Sequence, residues 1–198
     1  MQAVVPVDED IRLVSQVMTG DQSAFRLLVE RHQDFVFSIA LRVVRSREEA
    51  EEIAQDVFVK VYRSLSSFEQ RSGFRTWLYT VTYRAAIDKY RTLKAPQTSL
   101  DDDRSAFQVA ERTESGPASQ TQQSDLRAQL QLALNRLKPE DATLIELFYL
   151  HEQSVKDIAD ITGLSLSNVK TKLHRLRESL KEQLTHLLKG EVQDLLEP

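Results

Sequence analysis

The chain has 198 residues, a net charge of −4, 28% charged and 41% hydrophobic residues, and no cysteine. That length allows one ordinary domain or two small ones, and that balance suits a folded, water-soluble protein. The lack of cysteine excludes disulfides, thiolate zinc sites, iron–sulfur ligation and a cysteine nucleophile.

Five glycines and five prolines point to long helices with few tight turns. A short helix is predicted from Glu9 to Met18. Asp21 or Ser23 then caps a helix whose inner face carries Phe25, Leu28, Val29, His32, Phe35, Val36, Ile39 and Val43. Ser46-Arg-Glu-Glu49 reads as a capping box and opens a third helix through Ala50, Ile53, Ala54, Val57, Phe58, Val61 and Leu65. Phe68 to Gly73 reads as a polar loop, followed by a long helix with Phe74, Trp77, Leu78, Val81 and Ala85 turned inward.

Residues 97–124 are rich in Ser, Thr, Gln, Asp and Pro, with only Leu100, Phe107 and Val109 as large apolar residues. Such a run buries too little surface to offset its chain entropy and is expected to be a flexible linker. The expected organisation is therefore all-α, two small helical bundles joined by that linker: residues 1–95, linker 96–124, bundle 125–190 and tail 191–198. In the second bundle, helices are predicted over Asp125 to Leu137, from Pro139 through Leu150, from Ser154 to about Thr162, and from Ser167 to about Lys189.

The small net charge conceals local extremes. Arg71 to Lys94 carries +5, Lys170 to Lys181 carries +4, and Glu48 to Asp56 holds five acids and no base. Two basic stripes and one acidic stripe suggest separate surfaces for separate partners. His32, His151, His174 and His186 never stand at metal-ligand spacing, and phosphate-binding glycine loops and the GxSxG elbow are absent. No catalytic residue, metal or cofactor is expected. Phe35 to Val44, the longest apolar stretch, is far short of the roughly 20 residues of a membrane span. The acidic Asp8, Glu9 and Asp10 do not resemble a signal peptide, so a cytoplasmic location is expected.

The strongest motif runs from Val155 to Leu180. A short helix with Val155, Ile158, Ala159 and Ile161, a turn at Gly163, and a second helix with Val169, Leu173 and Leu176 make a helix-turn-helix pattern. The second helix exposes Ser167, Asn168, Lys170, Thr171, Lys172, His174, Arg175 and Arg177, donors suited to phosphates and base edges. An ordinary helical hairpin with a solvated basic face is the plainer reading. Glu48, Glu52, Gln55 and Asp56 share the face opposite Ile53, Val57 and Val61, which on periodicity alone reads as solvated.

The segment Leu164-Ser-Leu-Ser-Asn-Val-Lys-Thr-Lys-Leu-His-Arg-Leu-Arg-Glu178 resembles the last DNA-binding segment of the extracytoplasmic-function group of bacterial sigma-70 family factors. Glu49 to Tyr62 looks like that family's polymerase-binding helix, and Phe74-Arg-Thr-Trp-Leu-Tyr79 like its promoter-melting segment. Gly20 to Phe25 agrees near the start, so the likeness spans nearly everything but the linker.

The resemblance implies a transcription initiation factor whose Glu48, Glu52, Gln55, Asp56 and Lys60 meet core RNA polymerase at its clamp coiled coil, the flap being a second contact. It further implies that Arg71, Arg75, Tyr79, Tyr83, Arg84, Lys89 and Arg91 hold the minus-ten element, rings and cations capturing unstacked bases. The helix-turn-helix residues named above would read the minus-thirty-five duplex. Trp77 is in phase with Phe74, Leu78 and Val81 and is expected in the core, away from DNA. Arg84 stands where the family commonly has asparagine, so the family's minus-ten sequence preference does not carry over there. The family also implies an anti-sigma partner, often membrane-tethered. A free-standing helix-turn-helix regulator and a protein-interaction adaptor are the rival readings; neither accounts for all three motifs together.

Overall fold

The computed structural model describes residues 9–69, 72–94 and 130–194, with side chains described as far as Thr185. Arg71 and the whole 96–124 linker lie outside the described residues. Among the described residues every regular element is a helix. They fall into two compact units, one of residues 9–94 with 159–163 and one of residues 130–158 with 164–194.

In the first unit α1 spans Glu9–Met18, α2 Gln22–Val44, α3 Arg47–Ser64 and α4 Phe74–Lys94. Helix α2 is the centre against which α1, α3 and α4 pack. Its start is set by Asp21, whose carboxylate accepts from the Ser23 N–H at 2.9 Å. At its end Arg45 adopts the left-handed conformation (φ 58°) and its N–H returns to the Leu41 carbonyl. The chain thus reverses within two residues into Ser46, the cap of α3, whose Oγ accepts from the Glu49 N–H.

The apolar stripes interlock as their spacing requires: Leu28, Val36, Ile39 and Val43 from α2, Ile53, Val57 and Val61 from α3, and Phe74 and Leu78 from α4 are all buried. Phe25 and Val29, expected on the inner face of α2, are only half-buried, while the small Ala24 is sealed inside. Phe68 corrects the reading of its segment as a polar loop. It follows a short 3₁₀ turn, Leu65–Ser67, and is buried with its ring 5.8 Å from Phe74 and 5.3 Å from Trp77. Phe68 is therefore an aromatic anchor at the end of that turn.

One polar network penetrates this core. Asp10 of α1 and His32 of α2 are buried and meet at 3.0 Å, with Arg31 Nε 3.1 Å from the same carboxylate. Burial alone would raise the Asp10 pKa; the His32 hydrogen bond and the charges of His32, Arg31 and Arg75 outweigh it and hold the carboxyl below 3.8. The pairing satisfies the group that burial would otherwise penalise.

In the second unit α5 covers residues 130–136, within the helix expected from Asp125. Helix α6, Pro139–Tyr149, begins with proline at its first position and Glu140 and Asp141 in its first turn, as dipole and φ preferences favour. Helix α7, Val155–Thr162, starts where the Ser154 hydroxyl accepts from the Asp157 N–H at 3.1 Å. Gly163, at φ 74°, ends it with its N–H on the Ala159 carbonyl. Helix α8 runs Leu166–Asp194. It continues past the expected end near Lys189, so residues 191–194 of the expected tail are helical. Val169, Leu173, Leu176 and Leu180 form its buried stripe, and α6 packs against it.

Candidate polymerase and nucleic-acid interfaces

Helix α3 presents the acidic surface. Glu48, Glu52, Gln55, Asp56 and Lys60 are all exposed, opposite the buried Ile53, Val57 and Val61. Charge is not evenly available along it. Glu51 is paired with Arg47 at 2.8 Å, one turn away. Lys89 of α4 reaches across to Glu49 at 2.7 Å and Glu52 at 3.1 Å, and those two hydrogen bonds raise its pKa. Glu48 and Asp56 carry no ion pair among the described residues. Glu49 thus serves α4, where a full capping box would turn its carboxylate back on its own helix start. The uncompensated ends of the stripe are Glu48 and Asp56, the latter beside Gln55.

Helix α4 differs from its sequence reading in rotation. Its inner face holds Phe74, Leu78, Tyr79, Thr82, Ala86 and Ile87, displacing Val81 and Ala85 to half-buried flanks. Two residues outside the expected apolar stripe, Tyr79 and Thr82, cause the shift. Tyr79 is 5% exposed and stacks its ring on Phe35, 12° from parallel, so the DNA contact expected of it is corrected to a core role. Burial pushes its phenol up to about 12, against a lowering by the Arg75 charge. Thr82 is fully buried because its hydroxyl donates to the Leu78 carbonyl of its own helix at 2.9 Å. A threonine so satisfied behaves as an apolar residue.

The rotation turns Trp77 outward. It is half-buried, leaning on Phe68 and Phe74, and stands seven and fourteen residues before the exposed Arg84 and Arg91. A seven-residue step nearly repeats the helical phase, so ring and cations form one outward line. Arg75, in the first turn, is exposed as well, while Tyr83 sits half-buried on the flank. Arg91 lies 3.9 Å from Asp88, a loose and exposed contact. Lys89, expected on DNA, is engaged by α3 instead, as its two carboxylates show. Trp77 is the residue that periodicity misplaced. Its position before two arginines at heptad spacing was the signal that could have found it.

In α8, Ser165 caps the helix by accepting from the Asn168 N–H at 3.2 Å. Ser167, Asn168, Lys170, Thr171, His174 and Arg175 are exposed along the outer side of its first three turns. The Thr171 hydroxyl donates to the Ser167 carbonyl, leaving its lone pairs outward. Lys170, His174 and Arg175 have no side-chain partner among the described residues. The other two bases do. Lys172 is half-buried with Nζ 2.5 Å from Asp141 of α6. Arg177 donates Nε–H to the Tyr149 hydroxyl at 2.7 Å and lies over that ring at 5.9 Å. Both were expected on DNA; in this structure they tie α8 to α6.

This division of surfaces is matched by known families. Residues 28–95 match the model of Sigma-70 region 2, and residues 127–180 that of Sigma-70, region 4. The ECF RNA polymerase sigma factor SigW of Bacillus subtilis is 31% identical over 180 residues, covering 88% of this chain and 96% of its own. The chain belongs to the extracytoplasmic-function group of the sigma-70 family. The ECF sigma-E factor of Haemophilus influenzae is likewise 31% identical over 185 residues, 90% of this chain and 97% of that one. In fold, this sigma factor resembles the solved structure of CnrH in complex with the cytosolic domain of CnrY. The TM-score is 0.66 at 23% identity, over 90% of this chain and 99% of that one. Its helix-turn-helix therefore belongs to a polymerase specificity factor, which disfavours the free-standing regulator. Among the described residues no helix is long and apolar enough to cross a membrane.

Proposed function

We propose that this sigma factor acts from the cytoplasm without enzymatic activity, gripping core polymerase through Glu48, Gln55 and Asp56 of α3, with Lys60 at the edge. Residues 1–95 form the polymerase-binding and minus-ten domain, 96–124 the tether and 125–190 the minus-thirty-five domain. Strand capture belongs to Trp77, Arg75, Arg84 and Arg91, a stacking ring with cations set for phosphates. Upstream duplex reading belongs to Ser167, Asn168, Lys170, Thr171, His174 and Arg175. The tether raises the effective concentration of the second DNA element once the first is bound. Because the similarly folded sigma factor RpoE of Bartonella quintana was solved in complex with the anti-sigma factor NepR, an anti-sigma protein is the regulatory partner to seek.

The observation that carries this reading is that, among the described residues, each of the three assigned surfaces keeps charges without a partner: Glu48 and Asp56 on α3, Arg84 on α4, and Lys170 with Arg175 on α8. Run-off transcription with core polymerase and a genomic promoter library tests it. Promoter-dependent transcripts that require this chain are expected. Gln55→Ala with Asp56→Ala should abolish them by weakening core binding, while Arg175→Ala should weaken only promoters with a strong upstream element. Transcripts indifferent to both changes would overturn the assignment.

A further inference from the structure

The acidic face of α3 is read above as the polymerase grip, and the inference here rests on that reading. Within nine residues, Glu48 to Asp56, the chain places five carboxylates, and the fold answers with one lysine from a different helix. Lys89 Nζ sits 2.7 Å from Glu49 and 3.1 Å from Glu52, at the border between the acidic face and α4. Glu49 and Lys89 are about equally sheltered, whereas the Glu52 side chain is 60% exposed and remains open to solvent while the lysine holds one of its oxygens. A basic partner docking on this face must either share Glu52 with Lys89 or displace it.

We propose that Lys89 is a specificity-determining residue of the polymerase grip: by offsetting one of the two charges of Glu49 and Glu52 it weakens the middle of the stripe, where Arg47 already pairs Glu51, and shifts the attractive charge toward Glu48 and the Gln55–Asp56 turn. The lysine works in three ways. It spends its charge on α3, so it contributes no phosphate contact to promoter DNA. It lowers the field that draws in any basic surface, which disfavours partners that merely carry lysines and arginines. It also leaves one uncompensated carboxylate at either end of the stripe, one of them beside Gln55, so the orientation of the docked partner is set by that spacing and not by total charge. Geometry alone supports this; the raised pKa of Lys89 only agrees that the cation stays charged there.

The experiment measures core polymerase affinity of the full chain across ionic strength, beside the salt dependence of promoter binding by the holoenzyme. Lys89→Met is expected to bind core roughly two- to fivefold tighter at low salt, the range that loss of a competing surface pair allows. The gain should vanish at high salt and be absent in Lys89→Met/Glu49→Gln/Glu52→Gln. The salt slope on promoter DNA should stay as it is in the native chain. A residue that only braces α3 against α4 would give the opposite sign, weaker core binding with a lower melting temperature. Unchanged or weakened core affinity in a folded variant overturns the proposal, and so does a slope reduced by about 0.9, the signature of a lost phosphate contact. If Lys89→Met melts too low to assay, Lys89→Gln retains a donor to Glu49 and reads the same sign. Gln55→Ala with Asp56→Ala is measured alongside. No loss of core affinity there removes the grip reading itself; a loss there without tightening in the Lys89 variants removes only this inference.

Discussion

Helices α4 and α8 begin from similar material: both are long and amphipathic, and they carry the basic stretches Arg71 to Lys94 (+5) and Lys170 to Lys181 (+4). In α8 the buried stripe of Val169, Leu173, Leu176 and Leu180 falls where periodicity puts it, and only Lys172 and Arg177 are lost to neighbours. In α4 the stripe itself is turned, because Tyr79 and Thr82 enter the core and Trp77 moves to its half-buried edge. The reason is the number of sides on which each helix is packed. Helix α4 contacts α1, α2 and α3, so three partners choose its inner face; α8 has α6 as its main helical neighbour. A basic residue on such a helix is available to nucleic acid only where no acid or phenol on an adjacent helix already claims it.

Two aromatic residues of α4 give the sharpest way to break this comparison. Tyr79→Ala should destabilise the first unit by about 3–5 kcal/mol, the cost of emptying a buried aromatic site, read as a lowered melting temperature. Trp77→Ala should leave much of that stability and instead weaken capture of a single-stranded minus-ten oligonucleotide by about 1–3 kcal/mol. Because Trp77 is the one tryptophan, its fluorescence should also respond when that strand is added. Equal stability loss with unaltered strand binding in both variants would return Trp77 to the core.

On α8 the expected contrast lies between two bases three residues apart. Arg175→Ala should weaken minus-thirty-five binding by holoenzyme by about 1–3 kcal/mol and reduce its salt slope by nearly one. Lys172→Ala should cost up to about 1 kcal/mol of stability by freeing Asp141, with the slope intact. A slope that falls equally in both would restore Lys172 to the DNA face.

The smallest expected effect is at acid pH. Asp10 has a folded pKa below its ordinary 3.8, so its contribution is present above 3.8 and fades as pH falls through the lower folded value. Asp10→Asn should therefore lower the melting temperature at neutral pH, and the gap from the native chain should close below pH 3.8. A gap independent of pH would show that shape and not charge matters there.

Much of the candidate site was legible because the features concerned are local. Ser46 and Ser154 cap their helices as their spacing predicts, Gly163 takes the one turn conformation that suits it, and Gln55 and Asp56 stand on the outer face opposite an apolar stripe. Misreadings arose where polarity was mistaken for exposure. Tyr79 carries a hydroxyl but mostly ring, Thr82 satisfies its hydroxyl within its own turn, and Phe68 was masked by polar neighbours in the chain.

From the amino-acid order alone came the all-helical class, the helix starts, the three motifs and the family they resemble, since capping, period and motif spacing act over a few residues. Which charges remain available was decided only in three dimensions. Lys89 and Glu49 are forty residues apart, as are Glu9 and Arg31 by twenty-two and Lys172 and Asp141 by thirty-one, and no local rule relates them. Ion pairs between helices depend on distances of a few ångströms, which exist only after the apolar faces have packed.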